Sequence, residues 1–140
     1  MKNIVHPRPE LDTEIIKKFA TLKNVMSISC VVGDSMERDG IMHSDMKMRS
    51  VNKPFIGPAF TVKLSSGLLA DCLAVFSYAK PGDVIVIDAF GDTETSIWGG
   101  LMSGLARNAG IVGAVIYGSA RDTDEARMLD FPVVSKSVSP

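Results

Sequence analysis

The sequence predicts a single α/β domain built on a mainly parallel sheet. Strand-like and helix-like segments alternate from about residue 55 to residue 135, and this alternation favours parallel strands joined by right-handed crossovers. Residues 84–87 (Val-Ile-Val-Ile) are apolar and β-branched throughout, which is typical of a strand buried on both faces. The chain has 140 residues, a length that suits one domain.

Two helices are predicted before the sheet begins. Apolar residues recur at helical spacing over residues 11–23, which predicts an amphipathic helix with Asp12 or Thr13 as its N-cap. A shorter helix is predicted over residues 29–38. Residues 41–54 have no clear period and are predicted to be irregular.

The rest of the chain is predicted to alternate between strands and helices. Strands are assigned where β-branched and apolar residues run together or alternate, and helices where the period lengthens. In order, these are a bent strand over 55–64, a helix over 68–78, a strand over 84–87, a loop from 88 to about 97, a helix from 98 or 99 to 108, a strand over 113–117, a helix over 124–129 and a strand over 131–135.

Charge and composition argue against several classes of protein. The net charge is −1 and the basic residues are scattered, so no nucleic-acid partner is expected. No segment approaches the roughly 18 apolar residues of a membrane span, and the first ten residues lack the apolar core of a leader peptide. Cys30 and Cys72 have no metal-ligand spacing. A cytoplasmic protein without a membrane partner is therefore expected, and its 46% hydrophobic residues suggest a subunit interface.

Two loops that follow predicted buried strands carry the candidate chemistry. In open α/β sheets, ligands collect beyond the carboxyl ends of the strands. Gly99 and Gly100 would let an anion approach backbone N–H groups at the start of a helix, although glycines also serve close helix packing. The sequence contains neither G-x-G-x-x-G nor G-x-x-x-x-G-K-[ST], which argues against a dinucleotide or P-loop site.

The second loop, Gly118-Ser119-Ala120-Arg121-Asp122, places a guanidinium beside a carboxylate. Arg121 could hold a substrate carboxylate in a bidentate fork, and Asp122 offers hard oxygen ligands to Mg²⁺ or Mn²⁺. The alternative is an ordinary surface ion pair, or a helix cap in which Asp122 and Asp124 start the next helix. Asp88 is either a further ligand or a loop cap, and His6 and His43 have no visible partner for catalysis.

The order and spacing of these segments resemble the RraA-like family, which includes 4-hydroxy-4-methyl-2-oxoglutarate aldolases and regulators of ribonuclease E activity. The resemblance covers most of the chain from about Ser29 onward. It implies a compact α/β fold of the swivelling β/β/α type, assembled as trimers or hexamers with sites between subunits. The motifs that carry it are Pro81-Gly82-Asp83-Val84-Ile85-Val86-Ile87-Asp88, Trp98-Gly99-Gly100-Leu101, Gly113-Ala114-Val115-Ile116, Gly118-x-x-Arg121-Asp122, Gly57-Pro58-Ala59-Phe60-Thr61-Val62 and Phe131-Pro132-Val133.

The resemblance also implies a metal-dependent lyase. Its substrate would be 4-hydroxy-4-methyl-2-oxoglutarate or a related 4-carboxy-4-hydroxy-2-oxoacid, cleaved to pyruvate, with oxaloacetate decarboxylation as a second activity. Arg121 and Asp122 would be the catalytic residues: Arg121 holds the substrate, and Asp122 ligates an Mg²⁺ or Mn²⁺ ion that stabilises the pyruvate enolate without a Schiff base. Substrate would also meet backbone N–H groups of Gly99, Gly100, Leu101 and Met102.

Two departures from the family pattern keep another function open. Many members have an acidic residue at the position of Gly100, which in the aldolases helps to position a water for proton transfer. Members also usually continue past the position of Pro140 for several strands, so this chain is expected to be a shortened member or a fragment. The alternative function is a non-catalytic regulator that binds a ribonuclease or another protein partner.

Overall fold

Six strands of the described chain form one sheet. The computed structural model describes residues 4–64 and 70–140. Its strands are β1 (Lys47–Met48), β2 (Ala59–Lys63), β3 (Val84–Asp88), β4 (Ser96–Trp98), β5 (Gly113–Ala120) and β6 (Val133–Val138). Their order across the sheet is β1-β6-β5-β3-β2, and β4 pairs with β5 off this path.

Five α-helices accompany the sheet within the described ranges. They are α1 (Thr13–Thr21), α2 (Ile28–Ser35), α3 (Ala70–Leu73), α4 (Gly100–Asn108) and α5 (Thr123–Met128), and short 3-10 turns cover Leu22–Asn24 and Ala74–Ser77. All five lie where helices were predicted, but α3 ends at Leu73, well before the predicted end at residue 78, and a 3-10 turn follows it. The predicted helix over 68–78 is described only from residue 70, because residues 68 and 69 lie outside the described residues. No described helix has both the length and the apolar character needed to cross a membrane.

The predicted parallel pairing is confirmed for the centre of the sheet. β3 lies between β2 and β5 and is parallel to both, and β5 is also parallel to β6 and to β4. Among the described strands, only β1 runs antiparallel to its neighbour, β6. The carboxyl ends of β4 and β5 therefore lie together at one edge of the sheet, where the candidate site residues follow.

Several predicted strand boundaries are wrong, and one of them is the start of β2, which lies at Ala59 rather than at residue 55. Residues 47–48, predicted as irregular, form β1, and the predicted loop over 88–97 ends in β4. Residues 118–120, predicted as loop, continue β5, while β6 begins two residues after the predicted start and runs to Val138. In each case pairing with a strand distant in sequence sets the boundary. The local hydrophobic periodicity of a segment does not reveal such pairing.

Hydrophobic clusters cover both faces of the sheet. Ile85 and Ile87 are fully buried in the larger cluster, which also contains Trp98. Val84 and the half-buried Val86 belong to the smaller one. Since alternate residues of a strand point to opposite faces, β3 is covered on both sides, as predicted. Each fully buried aliphatic side chain of this kind contributes about 1.5–3 kcal/mol to stability.

The segment before the sheet forms the predicted amphipathic helix. The Asp12 carboxylate accepts hydrogen bonds from the backbone N–H groups of Glu14 and Ile15 and so caps α1. No described residue of α1 is buried, and its apolar residues Ile15 and Phe19 remain exposed.

An ion pair joins the N-terminal segment to the turn before β3. Arg8 donates from both terminal nitrogens to the two carboxylate oxygens of Asp83, at 2.6 and 2.5 Å. The Lys80 backbone N–H adds a third hydrogen bond to this carboxylate at 2.7 Å. The Asp83 side chain is only 1% exposed, so the pair is a bidentate contact with one buried partner.

Candidate functional site

The ends of β4 and β5 bring the two predicted loops together. The Arg121 backbone N–H donates to the Trp98 carbonyl at 2.8 Å, so residues 121–122 lie directly beside residues 98–100. Asp122 then adopts a left-handed backbone conformation, with φ of 51°, and turns the chain into α5. The edge of the sheet thus places the Arg-Asp pair against the start of α4.

Asp122 contacts the start of α4 rather than capping α5. Its Oδ2 accepts a hydrogen bond from the Gly100 backbone N–H at 3.2 Å, and it makes no side-chain capping bond within α5. A carboxylate is favourable here because the first N–H groups of a helix have no intrahelical acceptor. The Asp122 side chain therefore acts as a helix cap, as the alternative predicted, but it caps α4 and not α5.

The Arg121 guanidinium lies against the same carboxylate. Its Nε is 3.5 Å from Asp122 Oδ2, and the two side chains are 56% and 41% exposed. Within the described chain the terminal nitrogens of Arg121 have no hydrogen-bond partner. The pair is therefore open to solvent and offers unpaired donors beside an acceptor.

Gly99 and Gly100 leave room for the side chains that follow β5. A β-carbon built on Gly99 would lie 2.6 Å from Asp122 Oδ2 and 3.2 Å from Arg121 Cγ. One built on Gly100 would lie 1.6 Å from Glu125 Oε2. Both glycines thus permit close packing, which was the alternative noted from the sequence. They pack against the side chains of Arg121, Asp122 and Glu125.

A cleft collects most of the predicted site residues. Its lining includes Gly99, Leu101, Met102, Arg121 and Asp122. Leu101 is 73% exposed, whereas the Met102 side chain is buried. Gly100, the remaining predicted residue, is buried beneath Glu125 and lies between two residues that line the cleft.

A buried hydrogen-bond chain fixes the start of α4. The Trp98 indole N–H donates to Ser103 Oγ at 3.0 Å, and Ser103 Oγ donates to the Gly99 carbonyl at 3.0 Å. Ser103 is fully buried, and the Trp98 ring stacks on Phe131 with ring centroids 6.3 Å apart. Ser103 was not among the residues that the sequence singled out, although its place five residues after Trp98 on a predicted helix is a weak signal of such a contact.

The other candidate residues lie outside this cleft. Asp88 accepts a hydrogen bond from the Phe90 N–H at 2.9 Å. It therefore caps the loop after β3, which was one of the two roles predicted for it. His43 Nδ1 lies 3.1 Å from Asp45, a partner that the sequence did not reveal. No disulfide joins Cys30 and Cys72.

Asp122 suits a hydrated cation better than a closed metal site. The described residues contain no group of three or more His, Cys, Asp or Glu side chains that could hold a metal ion. Mg²⁺ usually keeps several waters and takes only one or two protein carboxylates. Asp122, oriented by the Gly100 N–H, fits that role as a single ligand.

Comparison with known proteins indicates the family of this chain. The family model for RraA-like proteins, described as Aldolase/RraA, matches residues 29–140. A Halalkalibacterium halodurans protein, provisionally named a 4-hydroxy-4-methyl-2-oxoglutarate aldolase, is 32% identical over 130 residues, or 93% of this chain. The match spans 60% of that relative's length.

Solved structures of the same family share the fold. Streptomyces coelicolor RraAS2, described as an unusual member of the RNase ES inhibitor RraA protein family, has a TM-score of 0.75 and 25% identity, covering 96% of this chain and 67% of that one. The RNA-processing inhibitor RraA from Thermus has a TM-score of 0.68 and 22% identity, covering 79% of this chain and 67% of that one. The chain therefore belongs to the RraA-like family.

Proposed function

We propose that the chain carries the site of a divalent-metal-dependent lyase that cleaves a 4-hydroxy-2-oxoacid to pyruvate. The observation that carries the proposal is the Arg121–Asp122 pair against the N-terminus of α4. A guanidinium for a substrate carboxylate and a carboxylate for a cation are two of the groups that such a cleavage needs. The relative provisionally named as an aldolase supports the same reaction class.

Arg121 is proposed to bind and orient the substrate. Its terminal nitrogens have no partner in the described part of the chain, and half of the side chain is exposed. A 2-oxoacid presents a planar carboxylate that can accept two parallel hydrogen bonds from one guanidinium. Holding that end fixes the bond to be broken relative to Asp122, and such positioning lowers the entropic part of the barrier.

Asp122 is proposed to hold the cation, Mg²⁺ or Mn²⁺. When bound, the ion supplies Lewis-acid stabilisation of the negative charge that develops as the carbon–carbon bond breaks. The protein contributes the orientation of the carboxylate, since the Gly100 N–H holds Oδ2 and the Trp98–Ser103 chain fixes the backbone at Gly99. Oxaloacetate decarboxylation develops charge in the same way and is proposed as a second activity.

The reaction is tested by pyruvate release from 4-hydroxy-4-methyl-2-oxoglutarate and from oxaloacetate, with and without Mg²⁺ or Mn²⁺. Asp122→Asn should lower kcat/KM by about 100-fold or more, because the amide cannot replace an anionic ligand. Asparagine tolerates the left-handed backbone at this position, so the fold should be kept.

Asp130→Asn is the matched control. Asp130 also has a left-handed backbone, with φ of 50°, and its carboxylate pairs with Lys53 on the surface at 2.5 Å. This variant should keep kcat/KM within about 2-fold. Turnover that needs no metal, or equal activity of both variants, would contradict the assignment.

A second candidate is a regulator that binds a ribonuclease or another protein. The solved relatives described as inhibitors of RNA processing support it, and the exposed apolar side of α1 offers contact area. Pull-down and ribonuclease inhibition assays test it, and the absence of association at micromolar concentration would argue strongly against it. Assembly as a trimer or hexamer and a cytoplasmic location stay predictions.

A further inference from the structure

Glu125 places a second carboxylate at the start of α4. It lies in the first turn of α5, and its Oε2 is 1.6 Å from the point where a β-carbon on Gly100 would stand. Its Cδ and Cβ are 2.7 and 3.1 Å from the same point. The whole side chain therefore extends across Gly100, in space that only a glycine leaves open.

The Asp122 and Glu125 carboxylates lie against two consecutive glycines. Asp122 lies over Gly99 and Glu125 lies over Gly100, so both face the first turn of the same helix. Asp122 already accepts the Gly100 N–H and contacts Arg121. Among the described residues, the Glu125 carboxylate has no hydrogen-bond or ion-pair partner.

The Asp124 carboxylate, next to Glu125 in the sequence, lies in a different environment. Asp124 is 91% exposed and pairs with Arg127 within α5. Of the two acidic residues in the first turn of α5, Glu125 is the one whose side chain lies closest to the β-carbon position of Gly100.

Cleavage of a 4-hydroxy-2-oxoacid needs a base. The proton of the C4 hydroxyl must leave as the C3–C4 bond breaks, and carboxylates are common acceptors in such steps. The ionisable side chains lining the cleft are Arg121 and Asp122. Arginine stays protonated near neutral pH, and a carboxylate that ligates a cation, as proposed for Asp122, is a poor base. A carboxylate beside the cleft is therefore the better candidate for the acceptor.

We propose that Glu125 accepts the proton of the substrate's C4 hydroxyl. The C4–O bond then becomes a carbonyl, the electron pair of the C3–C4 bond passes to C3, and the enolate of pyruvate is released with the second oxoacid. The proton goes to C3, directly or through solvent, which restores the carboxylate and completes pyruvate. This assignment rests on the proposed lyase function and adds the residue that moves the proton.

Comparing two substrates separates this role from a structural one. Oxaloacetate loses carbon dioxide to give the same enolate, and no hydroxyl proton has to be removed. Glu125→Gln should therefore reduce pyruvate formation from 4-hydroxy-4-methyl-2-oxoglutarate about 100-fold or more, the usual contribution of a general base. The ratio of cleavage to decarboxylation should fall by at least about 30-fold.

Asp124→Asn is the matched control, since it removes one carboxylate from the same turn. It should leave the ratio unchanged, and the unfolding temperature of both variants should match the wild type because both side chains are exposed. A wild type that cleaves its substrate, with a Glu125→Gln ratio equal to the wild-type ratio, overturns the role of Glu125 alone. A wild type without turnover of either substrate overturns the proposed function and this role together.

Discussion

At the residue scale, the site depends on two positions without side chains. Gly99 has extended backbone angles that any residue adopts, with φ of −143° and ψ of −164°, so conformational freedom does not explain it. The reason is space, because Asp122 Oδ2 and Arg121 Cγ lie within 3.2 Å of where its β-carbon would be. Gly99 therefore positions the charged pair by leaving room for it.

Gly99→Ala should lower activity while leaving the fold in place. The added methyl group would move Asp122 and Arg121 away from their positions, and a displacement of about 1 Å in a catalytic group costs roughly 100-fold in rate. The measurement is kcat/KM for pyruvate release, together with the unfolding temperature.

Gly104→Ala is the control within the same helix. The nearest atom to its added β-carbon would be Leu129 Cδ1 at 3.8 Å, an ordinary contact. This variant should keep full activity and gain about 0.5–1 kcal/mol in stability. If Gly99→Ala were as active as Gly104→Ala, the prediction would be wrong. That result would show that Arg121 and Asp122 can shift without loss of activity.

Residue identity revealed part of this site. Arg121, Asp122 and the glycines were candidates because their residue types suit anions and cations. The acceptor role of Asp122 toward Gly100 joins residues 22 apart, and the approach of Glu125 to Gly100 depends on the packing of α4 against α5. Neither contact has a periodic or spacing signal, so neither could be predicted from the sequence.

At the element scale, the junction between β4 and α4 is held by one buried hydroxyl. Ser103 accepts from the Trp98 indole and donates to the Gly99 carbonyl. It therefore satisfies one polar group from the strand and one from the start of the helix. Buried polar groups of this kind are costly when left without a partner.

Ser103→Ala should destabilise the protein by about 1–3 kcal/mol, because the Trp98 N–H and one acceptor site of the Gly99 carbonyl lose their partner in the core. Chemical denaturation measures the change. Ser35→Ala in α2 is the control, since Ser35 is exposed and donates only to the Val31 carbonyl of its own helix. That change should stay within about 0.5 kcal/mol, and equal losses in the two variants would argue against the buried chain.

The elements that could be predicted were the ones with enough residues to show a period. α1 and α4 each span nine residues, and β3 is apolar on both faces. β1 and β4, with two and three residues, are too short to alternate and exist because they pair with β6 and β5. Their neighbours in space determine them, not their own composition.

At the scale of the whole molecule, Arg8 and Asp83 connect residues 75 positions apart. Burial alone raises the pKa of Asp83, but the hydrogen bonds from Arg8 and from the Lys80 N–H outweigh it, so the pKa is lowered. A lowered pKa means that folding favours the ionised form. The ion pair thus stabilises the attachment of the N-terminal segment to the sheet.

Arg8→Gln should cost about 2–4 kcal/mol at neutral pH, since it leaves a buried carboxylate without its cation. The wild-type advantage is complete above the unfolded pKa of Asp83, near 4, and is lost as pH falls through the lower folded value. Denaturation curves from pH 7 to pH 2 should therefore converge for the two proteins. Lys17→Gln, which removes an exposed pair with Glu14, should change stability by less than about 0.5 kcal/mol at any of these values. Parallel curves for wild type and Arg8→Gln would refute the linkage.

The α/β class and the parallel centre of the sheet followed from the alternation of segments. The strand order β1-β6-β5-β3-β2 did not, because alternation fixes the direction of neighbouring strands but not which strands become neighbours. The placement of β4 beside the end of β5 is the part of this order that brings the two candidate loops together.

The contact between Gly100 and Glu125 also constrains how the sequence can diverge. The β-carbon of any side chain at position 100 would lie 1.6 Å from Glu125 Oε2. Such a substitution would therefore displace the Glu125 carboxylate from its present position. A side chain at position 100 and the present conformation of Glu125 would therefore compete for the same space, so a substitution at either position changes what the other can accommodate.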